Sequence, residues 1–253
     1  MDGLAISPYV LALLFFTVAF VYSSVGLGGG SSYTALMAIT GVSYLLIPTI
    51  TLILNLLVTS VGSFNFIRKK HARPTLILPF FVGSIPMSYL GGSLKLPREI
   101  FYWILLISLV FVVIRIYILE NTAMTVRIGH TQKIILSLIA GCVLGFVAGT
   151  VGIGGGIYLV PLIIIFGLGS PKEAAACGAV FIWVNSLSGL TARFQHHVMD
   201  PKALLPLIAV VIIGGFLGSF VGSSKLSSKA MEKWLGGIIL VAILFLAKKT
   251  LSF

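Results

Sequence analysis

Two stretches of this chain can do chemistry that their apolar surroundings cannot. One is Val25-Gly26-Leu27-Gly28-Gly29-Gly30-Ser31-Ser32. The other, 126 positions later, is Val151-Gly152-Ile153-Gly154-Gly155-Gly156-Ile157-Tyr158. Glycine costs a helix about 1 kcal/mol relative to alanine, so clusters this dense must break one. Broken backbone among apolar segments has to be enclosed by protein or line a cavity. Where a helix restarts, its first N–H groups are unpaired and its dipole is positive, which suits a small anion. Two such breaks at matching positions of two halves point to a transporter's binding site.

Polar side chains cluster around these stretches. Ser23, Ser24, Ser31 and Ser32 flank the first and Thr150 and Tyr158 the second. They can donate to an oxyanion, or cap helices and bond back to the preceding turn. Asn55 and Asn185 lie inside apolar runs, 130 positions apart. A buried amide is expensive without partners, and the matched placement favours ligand contact over a bond between helices. Thr59 and Ser188 follow on the same helix faces. The competing use of the glycines is close helix packing, since Gly26/Gly30 and Gly152/Gly156 have the four-residue spacing. A nucleotide loop is excluded, because no Lys-Ser or Lys-Thr follows either cluster.

Catalysis finds no residues. Asp2, Glu99, Glu120, Glu173, Asp200 and Glu232 are all terminal or in loops, so no carboxylate pair or activated nucleophile forms. The chain reads as a non-enzyme without a cofactor, and without the buried carboxylate or histidine that proton-coupled carriers use. His196-His197 has no second ligand cluster for a metal. Asn65, Arg193, His196 and His197, at span ends, either attract an anion into a vestibule or anchor the interface. Trp103, Trp183 and Trp234 suit interfaces or packing.

The elements that must position these residues are membrane helices. Of 253 residues, 58% are hydrophobic and 9% charged, and apolar runs approach the ~20 residues of a span. The +11 charge fits basic cytoplasmic loops, and the aromatic-plus-basic pattern of nucleic-acid modules is absent. The apolar runs cover 8–25, 33–40, 44–67, 76–94 (with Pro79 and Pro86 as kinks), 100–119, 134–150, 157–168, 174–194, 203–222 and 234–247. The loop 68–74 is the densest in basic residues and belongs in the cytoplasm. Ser170-Pro171-Lys172-Glu173 reads as a helix start, with Ser170 as N-cap. Cys142 and Cys177 fall in apolar runs and indicate no disulfide. The first run lacks a basic n-region and reads as a retained span.

The chain divides into a first membrane repeat over 1–120, a connector over 121–132 and a second repeat over 133–253. Besides the glycines and the asparagines, Phe64/Phe194 and Gly92-Ser93-Leu94-Lys95-Leu96 against Gly222-Ser223-Ser224-Lys225-Leu226 repeat at 130, and Pro74/Pro201 and Pro79/Pro206 at 127. Such an ordered set argues for duplication. Residues 8–40 would make a helix of roughly 50 Å, longer than a bilayer core of roughly 30 Å. Each cluster is therefore expected in a turn between two helices, which leaves an odd number of crossings per half and inverts the second. A single tilted, broken helix would leave the halves parallel. Charge does not choose. With 68–74 inside, the inverted model places ten Lys and Arg there, and the parallel model trades Lys172, Lys225, Lys229 and Lys233 for Arg193, Lys202, Lys248 and Lys249.

The duplicated V-G-x-G-G-G, the helix after it and Asn185-Ser186-Leu187-Ser188-Gly189-Leu190 resemble the sulfite exporter TauE/SafE family over nearly the whole chain. The resemblance implies a carrier of sulfite, sulfonates and related organosulfur anions in the cytoplasmic membrane. The chain departs from the family at Cys177-Gly178, where members often have a Thr-Ser pair in a pore helix. The expectation is an all-α polytopic membrane protein of two pseudo-symmetric, inverted repeats, with a small anion as substrate, the lipid bilayer as surroundings and no nucleic-acid partner. The expected substrate-binding residues are Gly28, Gly29, Gly30, Ser31, Ser32, Asn55, Gly154, Gly155, Gly156, Tyr158, Cys177, Asn185 and Ser188. The rival reading is a structural or assembly subunit that uses its small residues only for packing, or an uptake carrier for another small anion.

Overall fold

The computed structural model describes residues 7–24, 27–68, 73–118, 129–195, 205–222 and 228–251. Val25, Gly26, His196, His197, Asp200 and residues 121–128 of the connector lie outside them, as do the side chains of Ser24, Asn65 and Trp234. Among the described residues the fold is all-helical. The first five helices are α1 (Pro8–Ser24), α2 (Gly30–Ile39), α3 (Ile47–Arg68), α4 (Pro74–Ser93) and α5 (Arg98–Tyr117). The second five are α6 (His130–Val151), α7 (Gly156–Ile165), α8 (Pro171–Phe194), α9 (Leu205–Gly222) and α10 (Ser228–Leu251).

Three stretches are long and apolar enough to cross a membrane by length and composition: Pro74–Ser93, Thr131–Val151 and Lys172–Phe194. Leu13, Leu78, Val82, Ile107, Ile139, Val143, Phe216 and Leu244 are exposed on the outer helices, a surface that suits acyl chains rather than water. α2 and α7 have ten residues each, about 15 Å, or half a bilayer core. Residues 30–38 of α2 are all buried. The start of α8 has the expected capping box: Ser170 Oγ accepts from Glu173 N–H at 3.3 Å, and Ser170 N–H donates to Glu173 Oε2 at 2.7 Å.

Small residues fix the helix directions. Gly141, Gly145 and Gly149 of α6 lie against the backbone of Phe80, Ser84 and Ser88 of α4, and a methyl group on Gly91 would lie 2.5 Å from Phe146 O. Both series rise together, so α4 and α6 run parallel. α9 lies along α1 in the same manner, with Gly214 against Phe16 O and Gly218 against Phe20 O. α3 and α8 run antiparallel: Trp183 Nε1 donates to Ser60 Oγ at 3.0 Å, while Gly189 lies against Leu52.

The two ends of the bundle follow from this. Arg73, capping α4, pairs with Glu173 at the start of α8 at 3.8 Å. A cleft of about 350 Å³ there is lined by Arg73, Thr75, Lys133, Ser137, Gly167 and Leu168, which also places the start of α6 and the end of the α7 segment at this end. A smaller cleft at the opposite end is lined by Tyr44, Pro48, Lys95, Leu96, Thr150 and Arg193, where α3 begins and α4 and α8 finish. α6 leaves the first end and α7 returns to it, so the second glycine cluster is the tip of a hairpin, not a break in one tilted helix. Lys172, beside Glu173 at the start of α8, shares an end with Arg73.

Candidate functional site

The two glycine turns share a left-handed glycine immediately before the helix that follows. The first closes with Leu27 N–H donating to Tyr22 O at 2.9 Å, and the second with Gly152 N–H donating to Ala148 O at 2.9 Å. Gly29 (φ +84°) caps α2, and Gly155 (φ +75°) caps α7 after Gly154 (φ +84°). These left-handed conformations favour glycine over any residue with a side chain. The helical ladders resume only with Tyr33 N–H to Gly29 O and Tyr158 N–H to Gly155 O. Among the described residues, the N–H groups of Gly28 to Ser32 and of Ile153 to Ile157 donate to nothing. Each turn thus presents N–H groups that have no partner among the described residues, at the positive end of a helix and in a buried setting where such donors act strongly on an anion.

The fold brings the two turns together across one side chain. A methyl group at Gly30 would lie 2.5 Å from Ile153 O and 2.6 Å from Asn55 Nδ2. One at Gly28 would lie 2.8 Å from Asn55 Oδ1, and one at Gly154 2.9 Å from Asn55 Nδ2. Asn55 is fully buried, donates through Nδ2 to Gly152 O at 3.1 Å and leaves Oδ1 unpartnered. Thr59 Oγ1 donates back to Asn55 O at 2.7 Å, a bond along its own helix. Ile182 of α8 covers both turns, touching the positions where Gly28, Gly154 and Gly156 would carry a Cβ.

The other expected residues are placed differently. Ser31 and Ser32 belong to the first turn, but their hydroxyls are engaged by Tyr22 OH at 2.7 and 3.1 Å. Tyr158 OH donates to Ser108 O at 3.0 Å and faces α5. Cys177 is enclosed with Leu76, Ile77, Phe80, Leu159, Ile163 and Phe181, a packing environment. Asn185 Nδ2 bonds back to Phe181 O at 2.9 Å, with Oδ1 unpartnered, while its main-chain oxygen accepts from Ser88 at 2.7 Å. Ser188 Oγ donates to Ile85 O of α4 at 2.8 Å. The geometry therefore gathers Gly28 to Gly30, Asn55 and Gly154 to Gly156, and turns the hydroxyls of Tyr158 and Ser188 to neighbouring helices. Two participants had no sequence signal: Ile182, one apolar residue among many, and Tyr22, an aromatic three residues before the first cluster whose hydroxyl reaches Ser31 and Ser32. Among the described residues, no three His, Cys, Asp or Glu gather as a metal site.

Comparison with known proteins agrees with this architecture. A family model described as sulfite exporter TauE/SafE matches residues 11–250. The probable membrane transporter protein y4hK of Sinorhizobium fredii is 34% identical over 234 residues, covering 92% of this chain and 95% of that protein. Probable membrane transporter proteins of two Xylella fastidiosa strains, Temecula1 and 9a5c, are 33% and 32% identical over 93 residues, 36% of this chain and 35% of each relative. No solved structure matches the chain.

Proposed function

The chain belongs to the sulfite exporter TauE/SafE family and is a multi-pass membrane transporter, and from that premise we propose that it carries a small organosulfur oxyanion, sulfite or a sulfonate, outward across the cytoplasmic membrane. The observation that carries the proposal is the meeting of two glycine turns with unpaired N–H groups across the Asn55 amide. Amide donors hold an oxyanion without contributing a full charge, so the ion can leave again. The turns are buried between clefts at the two ends of the bundle, as alternating access between two inverted halves, 1–120 and 133–253, would need. An inside-negative potential favours anion exit by about 2.3 kcal/mol per charge per 100 mV, so export needs no coupling ion.

The packing-subunit reading is opposed by a division of labour among the glycines. Gly83, Gly91, Gly141, Gly145 and Gly149 lie against backbone of the facing helix and serve packing. Gly29, Gly154 and Gly155 have positive φ and flank free donors, which packing alone does not require. The test is thermal stability of the purified protein in sulfite, thiosulfate, alkanesulfonates and carboxylates. Stabilisation by sulfite or sulfonate is expected. If no oxyanion stabilises the protein, the transport site is rejected. Net flux inward at an inside-negative potential would reject export alone.

A further inference from the structure

Arg193 is a cation, buried among the described residues, that the glycine turns do not explain. It is 6% exposed. Its Nη2 donates to Gly149 O at 2.9 Å and to Thr150 O at 2.8 Å, the last carbonyls of α6 before the second turn. Its Nε is buried with no partner. The ion pair formed among the described residues, Arg73–Glu173, is at the other end of the bundle. Capping α6 accounts for Nη2, since a cation suits a helix C-terminus. It does not account for a full charge held in a membrane helix with an orphaned donor, which is costly unless something anionic visits it.

Three further observations say what visits. Arg193 and Lys95 both line a cleft of about 20 Å³, with Thr150, Tyr44, Pro48 and Leu96, so two cations share one small opening at this end. Arg193 grips the carbonyl of Thr150, two residues from Gly152, and sits eleven residues beyond Ile182 on α8, about 16 Å along that helix. An anion released from the turns toward this end meets it. At the register that relates Asn55 to Asn185, the counterpart of Arg193 is Ser63, buried with its Oγ unpartnered. The cation is therefore specified for one end only, the end opposite the basic 68–74 loop.

We propose that Arg193 and Lys95 form a second anion station, through which a small oxyanion passes between the glycine turns and the outer surface. The proposal rests on the transport reading above. It is tested by thiol labelling at Leu96→Cys, in a background of Cys142→Ser and Cys177→Ala. The probes are an anionic and a cationic methanethiosulfonate of similar size, with methanesulfonate as competitor. The anionic reagent should react about tenfold faster than the cationic one once intrinsic rates are normalised, and methanesulfonate should slow it. Both effects should vanish in Arg193→Gln, persist in Arg193→Lys, and weaken in Lys95→Gln, which removes no cap from α6. If Arg193→Gln does not fold, Lys95→Gln carries the test. Unchanged charge preference and protection in the folded variants would overturn the station and leave Arg193 a helix cap. Absence of protection at Leu96→Cys while methanesulfonate still stabilises the protein would also overturn it and spare the transport reading. Absence of stabilisation by any oxyanion would overturn that reading and the station with it.

Discussion

Gly154→Ala separates ligand binding from backbone strain, because the fold provides a matched control. Gly154 has φ +84° inside the second turn, and Gly41 has φ +88° in the exposed turn after α2. A left-handed alanine costs about 1–2 kcal/mol at either position, so that contribution cancels in the comparison. At Gly154 the new methyl would lie 2.9 Å from Asn55 Nδ2 and 2.9 Å from Ile182 Cγ2. Asn55 must then withdraw from Gly152 O, leaving a buried acceptor unpaired at about 1–3 kcal/mol. Gly154→Ala should destabilise the protein by that much more than Gly41→Ala. The displaced donors should also weaken the anion complex by about 1.5–3 kcal/mol, the worth of a hydrogen bond to a charged group, or roughly 10–150-fold in Kd. Thermal denaturation with and without sulfite reads both. At a concentration of 100 Kd the wild type gains about 2.7 kcal/mol, and a variant weakened about 100-fold gains only about 0.4 kcal/mol. Gly29→Val and Gly155→Val test the same idea less directly, since the added Cβ meets the rings of Tyr33 and Phe181, which can turn aside. A folded Gly154→Ala with the full sulfite-dependent gain would refute the reasoning.

Asn55→Leu should abolish sulfite stabilisation and cost about 1–3 kcal/mol for the orphaned Gly152 O, whereas Asn185→Leu, whose amide bonds its own helix, should bind sulfite more nearly normally; equal effects in a ligand-stability assay would refute the difference. For topology, Lys172→Cys should label from the same side as Thr75→Cys, and Lys95→Cys from the other. Labelling of Lys172→Cys from the side of Lys95→Cys would restore the parallel model. Sulfite flux in proteoliposomes should follow membrane potential and persist when the proton gradient is collapsed at fixed potential, because no Asp, Glu or His is buried among the described residues; a flux that requires the gradient would refute this. Gly145→Val should lose folded protein by overpacking against Ser84, at about 1–3 kcal/mol or more, with the sulfite-dependent gain of the surviving fraction unchanged.

The elements were legible because their signals are local. Glycine clusters break helices wherever they occur, and the Ser170 capping box needs only four consecutive residues. Residue count ruled out a single helix over 8–40, and α2 and α7 are accordingly short. What the sequence left undecided was which ends of the helices meet. That depended on a contact between residues 100 positions apart, Arg73–Glu173, which counting charges could not foresee because both models gave the same total. The candidate site was legible at its glycines and at Asn55 for the same reason: backbone chemistry is written in residue type. Hydroxyls were less legible. Tyr158 and Ser188 stand at suitable positions along the chain, but a helical side chain serves one direction only, and theirs point to Ser108 O and Ile85 O.

The pair of asparagines shows how a symmetric sequence yields an asymmetric centre. Asn55 and Asn185 occupy matching register, and each is fully buried with Oδ1 unpartnered. Only one amide can fill the space where the turns meet, and Asn55 holds it through Gly152 O, 97 residues away. Asn185, one helix across, folds back on Phe181 O. Its helix instead ends in Arg193, where the first half has Ser63. Arg193 is thus a buried cation near the end of α8, whereas at the end of α3 the basic residues, Arg68 to Arg73, come only after Ser63 and run into the following loop. In the proposed path, amide donors stand at the centre and a buried guanidinium at the end opposite Arg73. An anion released from the turns toward that end would meet the buried Arg193 charge, and Arg193→Gln is the change that tests whether it does.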